Sequence, residues 1–330
     1  MQTRKLGSQG LTVSALGLGC MGMTSTYGAA DRGEAVATLH RAIEIGVTFF
    51  DTAEAYGPYE NEKLIGRAIK GKRDKVVIAS KFGWKIDPKA KPYLVGVDSR
   101  PENVRAVADA SLQRLGIDHI DLFYQHRVDP VVPIEETVGA MADLVKAGKV
   151  RYLGLCEAGV QNIRRAHKTH PISAIQSEYS IWERNVEDDI LPALRELGIG
   201  LVPYCPLGRG FLTGTVKRAE EYSDNDYRHQ DPRLTSANYD ANMRLVDRVR
   251  AVAQEKGATS GQIALAWLLA QGPDIVPIPG TKRRSYLEEN AKAATITLSK
   301  QDVSRISDAA PPGKTAGPRY GEQMMSLIDR

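Results

Sequence analysis

The sequence predicts an α/β fold, a (β/α)8 TIM barrel preceded by a small N-terminal β-hairpin. Three observations predict it. About eight short apolar runs alternate with longer amphipathic segments along the chain. The runs are apolar at consecutive positions, as in strands covered on both faces. And 330 residues is a length that such barrels reach as one unit. An open, doubly wound sheet is the competing arrangement of the same elements. The chain, 1–330, is read as one domain.

From the N-terminus, Thr3 to Leu6 and Thr12 to Ser14 flank Gly7-Ser8-Gln9-Gly10, a turn composition. A hairpin is expected there, covering one mouth of the barrel. The candidate barrel strands are 15–19, 48–51, 76–80, 122–125, 152–155, 174–177, 200–204 and 275–278. Between them, 33–45 repeats apolar residues at helical spacing and meets Gly46 as a C-terminal cap. A helix over 101–115 is expected to start from Ser99 as N-cap and to end at Gly116. Helices over 134–146 and 188–197 stop before Gly148 and Gly198. Segments 83–100 and 215–238 lack a period. Both follow strands, which puts them at the C-terminal face as long loops, either functional or simply inserted.

Composition narrows the class. A chain with 42% hydrophobic and 25% charged residues is ordinary for a globular protein. Its 44 Lys+Arg against 40 Asp+Glu leave a charge of +4, too small to predict a nucleic-acid partner. Cys20, Cys156 and Cys205 form no close pair, which predicts reduced thiols and no metal site. No run approaches the roughly 20 apolar residues of a membrane span, and the N-terminal stretch lacks a signal-peptide core. The expectation is a cytoplasmic monomer without a membrane partner.

Four ionisable residues fall at or just past the ends of predicted strands: Asp51, Tyr56, Lys81 and His126. Singly, each has an ordinary structural reading. In a barrel, however, consecutive strand ends converge on one mouth. Reducing a carbonyl needs a proton donor at its oxygen, and a phenol with a pKa near 10 is a reluctant one. A neighbouring ammonium lowers that pKa, a carboxylate holds the ammonium, and an imidazole orients the carbonyl.

Carried by these residues, the chain resembles the aldo-keto reductases. DTAEAYG at 51–57, ASKFG at 79–83 and DLFYQHR at 121–127 are similar to the segments bearing that family's catalytic tetrad. GLGCMGM at 17–23, RYLGLCEAG at 151–159 and PYCPLGRGFLTG at 203–214 are similar to further family segments, in matching order from Lys5 to about Asp308. HRVDP at 126–130 and IPGTKRR at 278–284 resemble the bacterial, yeast and plant branch of general reductases. The resemblance implies NADPH-dependent reduction of aldehydes and ketones. Tyr56 would be the general acid, Lys81 its pKa tuner, Asp51 the partner of Lys81, and His126 the residue that orients the carbonyl.

It also implies NADPH/NADP+ extended across the barrel mouth. A strand–GxGxxG–helix unit is missing, so a Rossmann site is not predicted. Tyr204 would stack on the nicotinamide and Gln176 would bind its carboxamide, with Met21 and Asp51 alongside. Cys156 and Glu157 stand where the family commonly has Ser or Asn, and Cys205 where it has Ser, which leaves the carboxamide contact of Glu157 open. The loop of Cys205, Pro206, Leu207, Gly208, Arg209 and Gly210 would wrap the pyrophosphate, its glycines allowing close backbone approach. Arg209 reads equally as a phosphate contact or a solvated side chain.

Gly280, Thr281, Lys282, Arg283 and Arg284 precede a helix ending near Asn290. They suit the 2′-phosphate of NADPH, because a basic helix start is unfavourable unless an anion sits there. Which of the three cations holds the phosphate stays open. Glu289 and Asn290 match adenine contacts. Trp84 and Tyr27, with Tyr56 and His126, are the expected pocket for a small carbonyl substrate, and Met21 and Met23 fit pocket or core equally. The alternative function is a cofactor-binding, redox-sensing regulatory subunit with little turnover.

Overall fold

Strands β1 (Thr3–Leu6) and β2 (Leu11–Ser14) pair antiparallel with Leu6 opposite Leu11, forming the expected hairpin. In this computed structural model, which describes residues 1–24 and 26–329, the hairpin alternates buried and exposed side chains. Leu6, Leu11 and Val13 share a buried cluster with Phe49, Ala79, Leu122 and Tyr124. The Ser8 N–H donates to Gly198 O, and Leu6 abuts Gly200 at the start of a barrel strand. The hairpin therefore seals the N-terminal mouth and leaves the other mouth open.

The barrel strands are β3 (Leu18–Gly19), β4 (Phe49–Asp51), β5 (Val77–Phe82), and, after a side excursion of β6 (Trp84–Ile86) and β7 (Leu94–Val97), β8 (Ile120–Gln125), β9 (Val150–Cys156), β10 (Ala174–Glu178) and β11 (Gly200–Tyr204). All seven barrel strands run parallel in the order β3-β4-β5-β8-β9-β10-β11. The eighth predicted strand, 275–278, is not a regular strand. Pro277 and Pro279 cannot donate to a ladder. The segment still closes the barrel: Val276 N–H bonds Leu201 O and Ile278 N–H bonds Pro203 O on one side, while Gly17 and Gly19 N–H bond Pro277 O and Pro279 O on the other.

Helices cover the outside: α1 (Arg32–Glu44), α2 (Glu60–Ile69), α3 (Pro101–Leu115), α4 (Ile134–Lys146), α5 (Val160–Thr169), α6 (Ile190–Leu197), α7 (Ser236–Glu255), α8 (Ser260–Ala270), α9 (Arg284–Lys292), α10 (Lys300–Ala309) and a short α11 (Glu322–Met325). Helix α8 is almost entirely buried, so its sequence, SGQIALAWLLA, is apolar all round. Among the described residues no helix is long and apolar enough to cross a membrane.

Three local expectations are corrected. Arg100, not Ser99, is the N-cap of α3; the Ser99 hydroxyl instead accepts from Gln125 Nε2, tying the loop to the end of β8. Segment 83–100 is not structureless, because β6 and β7 pair antiparallel within it and set Trp84 at the mouth. Segment 215–238 is a chain of short 3-10 turns running into α7, and it bridges to the first barrel loop through Tyr27 and Asp226.

Candidate active site

The parallel register brings the four ionisable residues together. Asp51 ends β4 beside Gly19 of β3, and Lys81 lies within β5 beside Tyr124 of β8. His126 follows β8 directly, and Tyr56 sits in the turn after β4. The Lys81 ammonium is fully buried and donates to Asp51 Oδ1 at 2.5 Å, Thr52 O at 2.9 Å and Tyr56 Oη at 3.1 Å. Those three bonds use all its donors. Since Lys81 donates to the Tyr56 oxygen, the phenolic hydrogen must point elsewhere, towards the cavity that Tyr56 lines. Gln176 Nε2 donates to Asp51 Oδ2 at 2.7 Å, so the carboxylate is held from both sides. The His126 ring meets Tyr56 edge-on at 5.9 Å between centroids, and Trp84 meets His126 in the same way at 5.9 Å.

The electrostatics differ from the expectation in one respect. Burial pushes the Tyr56 phenol up to about 12, and the downward pull of Lys81 does not offset it. For Lys81 burial is the largest single effect and works against the charge, but Asp51, Tyr56 and Cys156 together outweigh it and the ammonium is held above its ordinary range. Burial, then Lys81 and Arg127, drives His126 well below its usual value. The imidazole is therefore neutral across the physiological range.

A cavity of about 1000 Å³ runs from these residues over the strand ends to Glu289 and Asn290 on α9. Met21, Tyr27, Trp84, Gln176 and Tyr204 line it. So do Cys205, Pro206, Leu207, Gly210, Gly280, Thr281, Lys282 and Arg283. Met23 is wholly buried in the core and does not face it.

Several predicted cofactor residues have different local reasons for being where they are. Arg209 lines the cavity but is not a freely solvated side chain: it is buried, 2.8 Å from Asp231 and 3.3 Å from Glu178. Glu178 also pairs with Arg233, which pairs in turn with Glu183. This buried network fastens the 205–210 loop to the 215–238 segment. Gly208 has a structural requirement of its own, since at φ +56° a Cβ would stand 2.7 Å from the Trp182 ring.

The basic segment before α9 divides among its three cations. Lys282 donates to the carbonyls of Tyr27, Gly28 and Ala29 at 2.8, 3.3 and 2.6 Å. Arg284 lies outside the cavity wall and pairs with Glu34 at 3.0 Å. Glu34 also accepts the Arg284 N–H at 3.0 Å, so this carboxylate already supplies the anion at the start of α9. Arg283 lines the cavity and, among the described residues, forms no ion pair.

Sequence reasoning missed the C-terminal tail. Thr315 Oγ1 donates to Trp182 O and the Ala316 N–H to Asn242 Oδ1, which lays the tail across the open mouth. Arg319 then grips Glu157, and the Tyr320 and Tyr204 hydroxyls share a hydrogen bond of 2.6 Å. Glu157 is therefore a paired carboxylate: burial would raise it, but Arg319, Arg127 and the Glu178 N–H together hold it below its ordinary range. Arg127, next to His126 in the DLFYQHR segment, is also buried and lines the cavity. The composition of 312–329 carries no period or motif that would have placed it at the site.

Residues 15–311 match the aldo/keto reductase family. A Glycine max protein named Probable aldo-keto reductase 1 is 46% identical over 322 residues, covering 97% of this chain and 92% of that one. Among solved structures, the glycerol dehydrogenase of Gluconobacter oxydans superposes with a TM-score of 0.85 at 27% identity, over 93% of this chain and 94% of the other. An aldo/keto reductase of Klebsiella pneumoniae, solved with NADP and acetate, gives 0.74 at 26% identity over 97% and 99% of the two chains. With the family match spanning most of the barrel and the mouth, this chain belongs to the aldo/keto reductase family.

Proposed function

We propose that the chain, acting as one catalytic unit, reduces aldehydes and ketones to alcohols with NADPH. The observation that carries this reading is the saturated Lys81 ammonium, which orients the Tyr56 hydroxyl towards the cavity. The cofactor supplies the hydride. With that hydride supplied to the carbonyl carbon, the π pair of the C=O bond would pass to oxygen, and Tyr56 would give this oxygen its proton. Lys81 stabilises the phenolate left behind and Asp51 stabilises Lys81. His126, neutral, donates to the carbonyl oxygen and fixes its approach.

The residues present fit the cofactor. Tyr204 offers a flat face braced by Tyr320, and Gln176, which lines the cavity, offers its amide oxygen to a carboxamide N–H₂, whereas Glu157 is taken up by Arg319 and the Glu178 N–H. Arg283, facing the cavity without an ionic partner among the described residues, is the cation best placed for the 2′-phosphate. Lys282 acts chiefly on the first loop, whose carbonyls it holds. Gly280, Thr281, Glu289 and Asn290 complete the adenosine end.

The test is spectrophotometric: purified protein, NADPH or NADH, and a panel of aromatic and aliphatic aldehydes. Aldehyde-dependent oxidation that favours NADPH is the expected result. Tight NADPH binding without turnover of any aldehyde would favour the regulatory-subunit reading instead.

A further inference from the structure

Arg127 follows His126 at the end of β8 and is only 6% exposed. Among the described residues its guanidinium has one hydrogen bond, from Nη1 to its neighbour's carbonyl, His126 O, at 2.7 Å. Its Nε has no partner. Among the described residues no carboxylate lies within ion-pairing distance of it. The carboxylate whose field reaches it, Glu157, is already engaged by Arg319 through two nitrogens and by the Glu178 N–H. A guanidinium is charged at every accessible pH and carries five donors in a rigid fork. Burying one with a single neutral acceptor is costly and is normally offset by an anion.

The surroundings say where such an anion would sit. Arg127 lines the same cavity as Tyr56, His126 and Trp84. Its Cζ lies 5.8 Å from the centre of the Trp84 ring, which contacts His126, which contacts Tyr56. A carbonyl bonded to Tyr56 and His126 would thus have its far end over Trp84, against the unused donors of Arg127. Resting on the reductase reading above, we propose that Arg127 is a substrate-binding residue that selects carbonyl compounds carrying a carboxylate, which it holds by charge-assisted hydrogen bonds while Tyr56 protonates the carbonyl oxygen.

The experiment compares 4-carboxybenzaldehyde with methyl 4-formylbenzoate, its uncharged ester, using wild-type protein and NADPH. The expected kcat/KM ratio, acid over ester, is at least about tenfold in favour of the acid, within reach of one charge-assisted contact. In Arg127→Met that ratio falls at least about tenfold, through KM of the acid, and Arg127→Lys retains part of it. Benzoate, but not benzamide, inhibits the wild-type protein competitively against the aldehyde, a readout independent of how the variants fold. A wild-type ratio near one, or an Arg127→Met variant that loses acid and ester equally, overturns the proposal. Turnover of neither aldehyde, with NADPH bound, overturns the reductase reading beneath it.

Discussion

Arg319 and Glu157, 162 positions apart in sequence, meet through two parallel bonds, Nη1 to Oε1 at 3.1 Å and Nη2 to Oε2 at 2.5 Å. Both side chains are buried, and the Glu157 N–H and Glu178 N–H tie the same corner to β10. The pair fastens the C-terminal tail to the end of β9.

Breaking it from one side leaves a buried charge without its partner. Arg319→Ala is expected to destabilise the protein by about 3–5 kcal/mol, and Glu157→Gln with Arg319→Ala by clearly less than the two single changes added together. Urea unfolding of the four proteins in this cycle measures it. Additive losses would mean that the two residues act independently.

Tyr56→Phe removes the proposed proton donor without removing the ring. Turnover should fall by about 10²–10⁴-fold while the dissociation constant for NADPH, followed by fluorescence quenching, stays within about threefold. Near-normal turnover would rule out Tyr56 as the acid.

The three cations before α9 should separate by cofactor. Arg283→Ala is expected to raise KM for NADPH at least about tenfold, as expected for a lost charge-assisted phosphate contact, with little change for NADH. Arg284→Ala, whose partner is Glu34, should affect both cofactors equally and weakly. Lys282→Ala frees the carbonyls of Tyr27, Gly28 and Ala29 and should weaken both. Steady-state kinetics with each cofactor distinguish the three patterns.

The pH dependence of reduction follows from two groups. Tyr56 must be protonated, and burial raises its pKa to about 12, so the acid form persists far into alkaline solution. His126 must be neutral, and its lowered pKa keeps it so down to acid pH. The expected kcat profile is flat from neutral into alkaline solution when the chemical step limits the rate. An inflection near pH 6.5 that vanishes in His126→Ala would show an imidazole titrating in the working range.

Glu54, in the turn between Asp51 and Tyr56, is buried with one oxygen unpaired, and burial with the nearby Glu62 raises it to about 8. Its native form is therefore protonated where the unfolded chain, with an ordinary value near 4.3, is ionised. The folded state binds the extra proton, so this contribution is full below about pH 4 and is lost as pH rises to about 8. Stability should decline across that window by up to about 1.4 kcal/mol per pH unit. Glu54→Gln should flatten the decline; an unchanged slope in thermal melts from pH 5 to 8 would refute the assignment.

The sequence by itself determined the barrel and the four residues at its mouth. Strand cores such as 122–125 and 200–204 are apolar on consecutive positions, and Asp51, Lys81 and His126 stand at the ends of such runs, so local pattern and chain order were enough to bring them together. It also determined the hairpin, because Gly7 and Gly10 take positive φ at the turn. What it did not determine was every feature that depends on a distant partner. The 275–278 segment closes the barrel although its prolines deny it a ladder, because carbonyls and N–H groups of β3 and β11 meet it on either side. Arg209, legible equally as a phosphate contact or a solvated side chain, and Arg284 acquired their carboxylate partners Asp231, Glu178 and Glu34 only in the fold. Arg319 and Tyr320 carry no local signal at all. The physical reason is the same in each case: a charge looks available in sequence, and only tertiary packing decides which carboxylate has already neutralised it, and which cation, such as Arg127 or Arg283, is left facing the cavity.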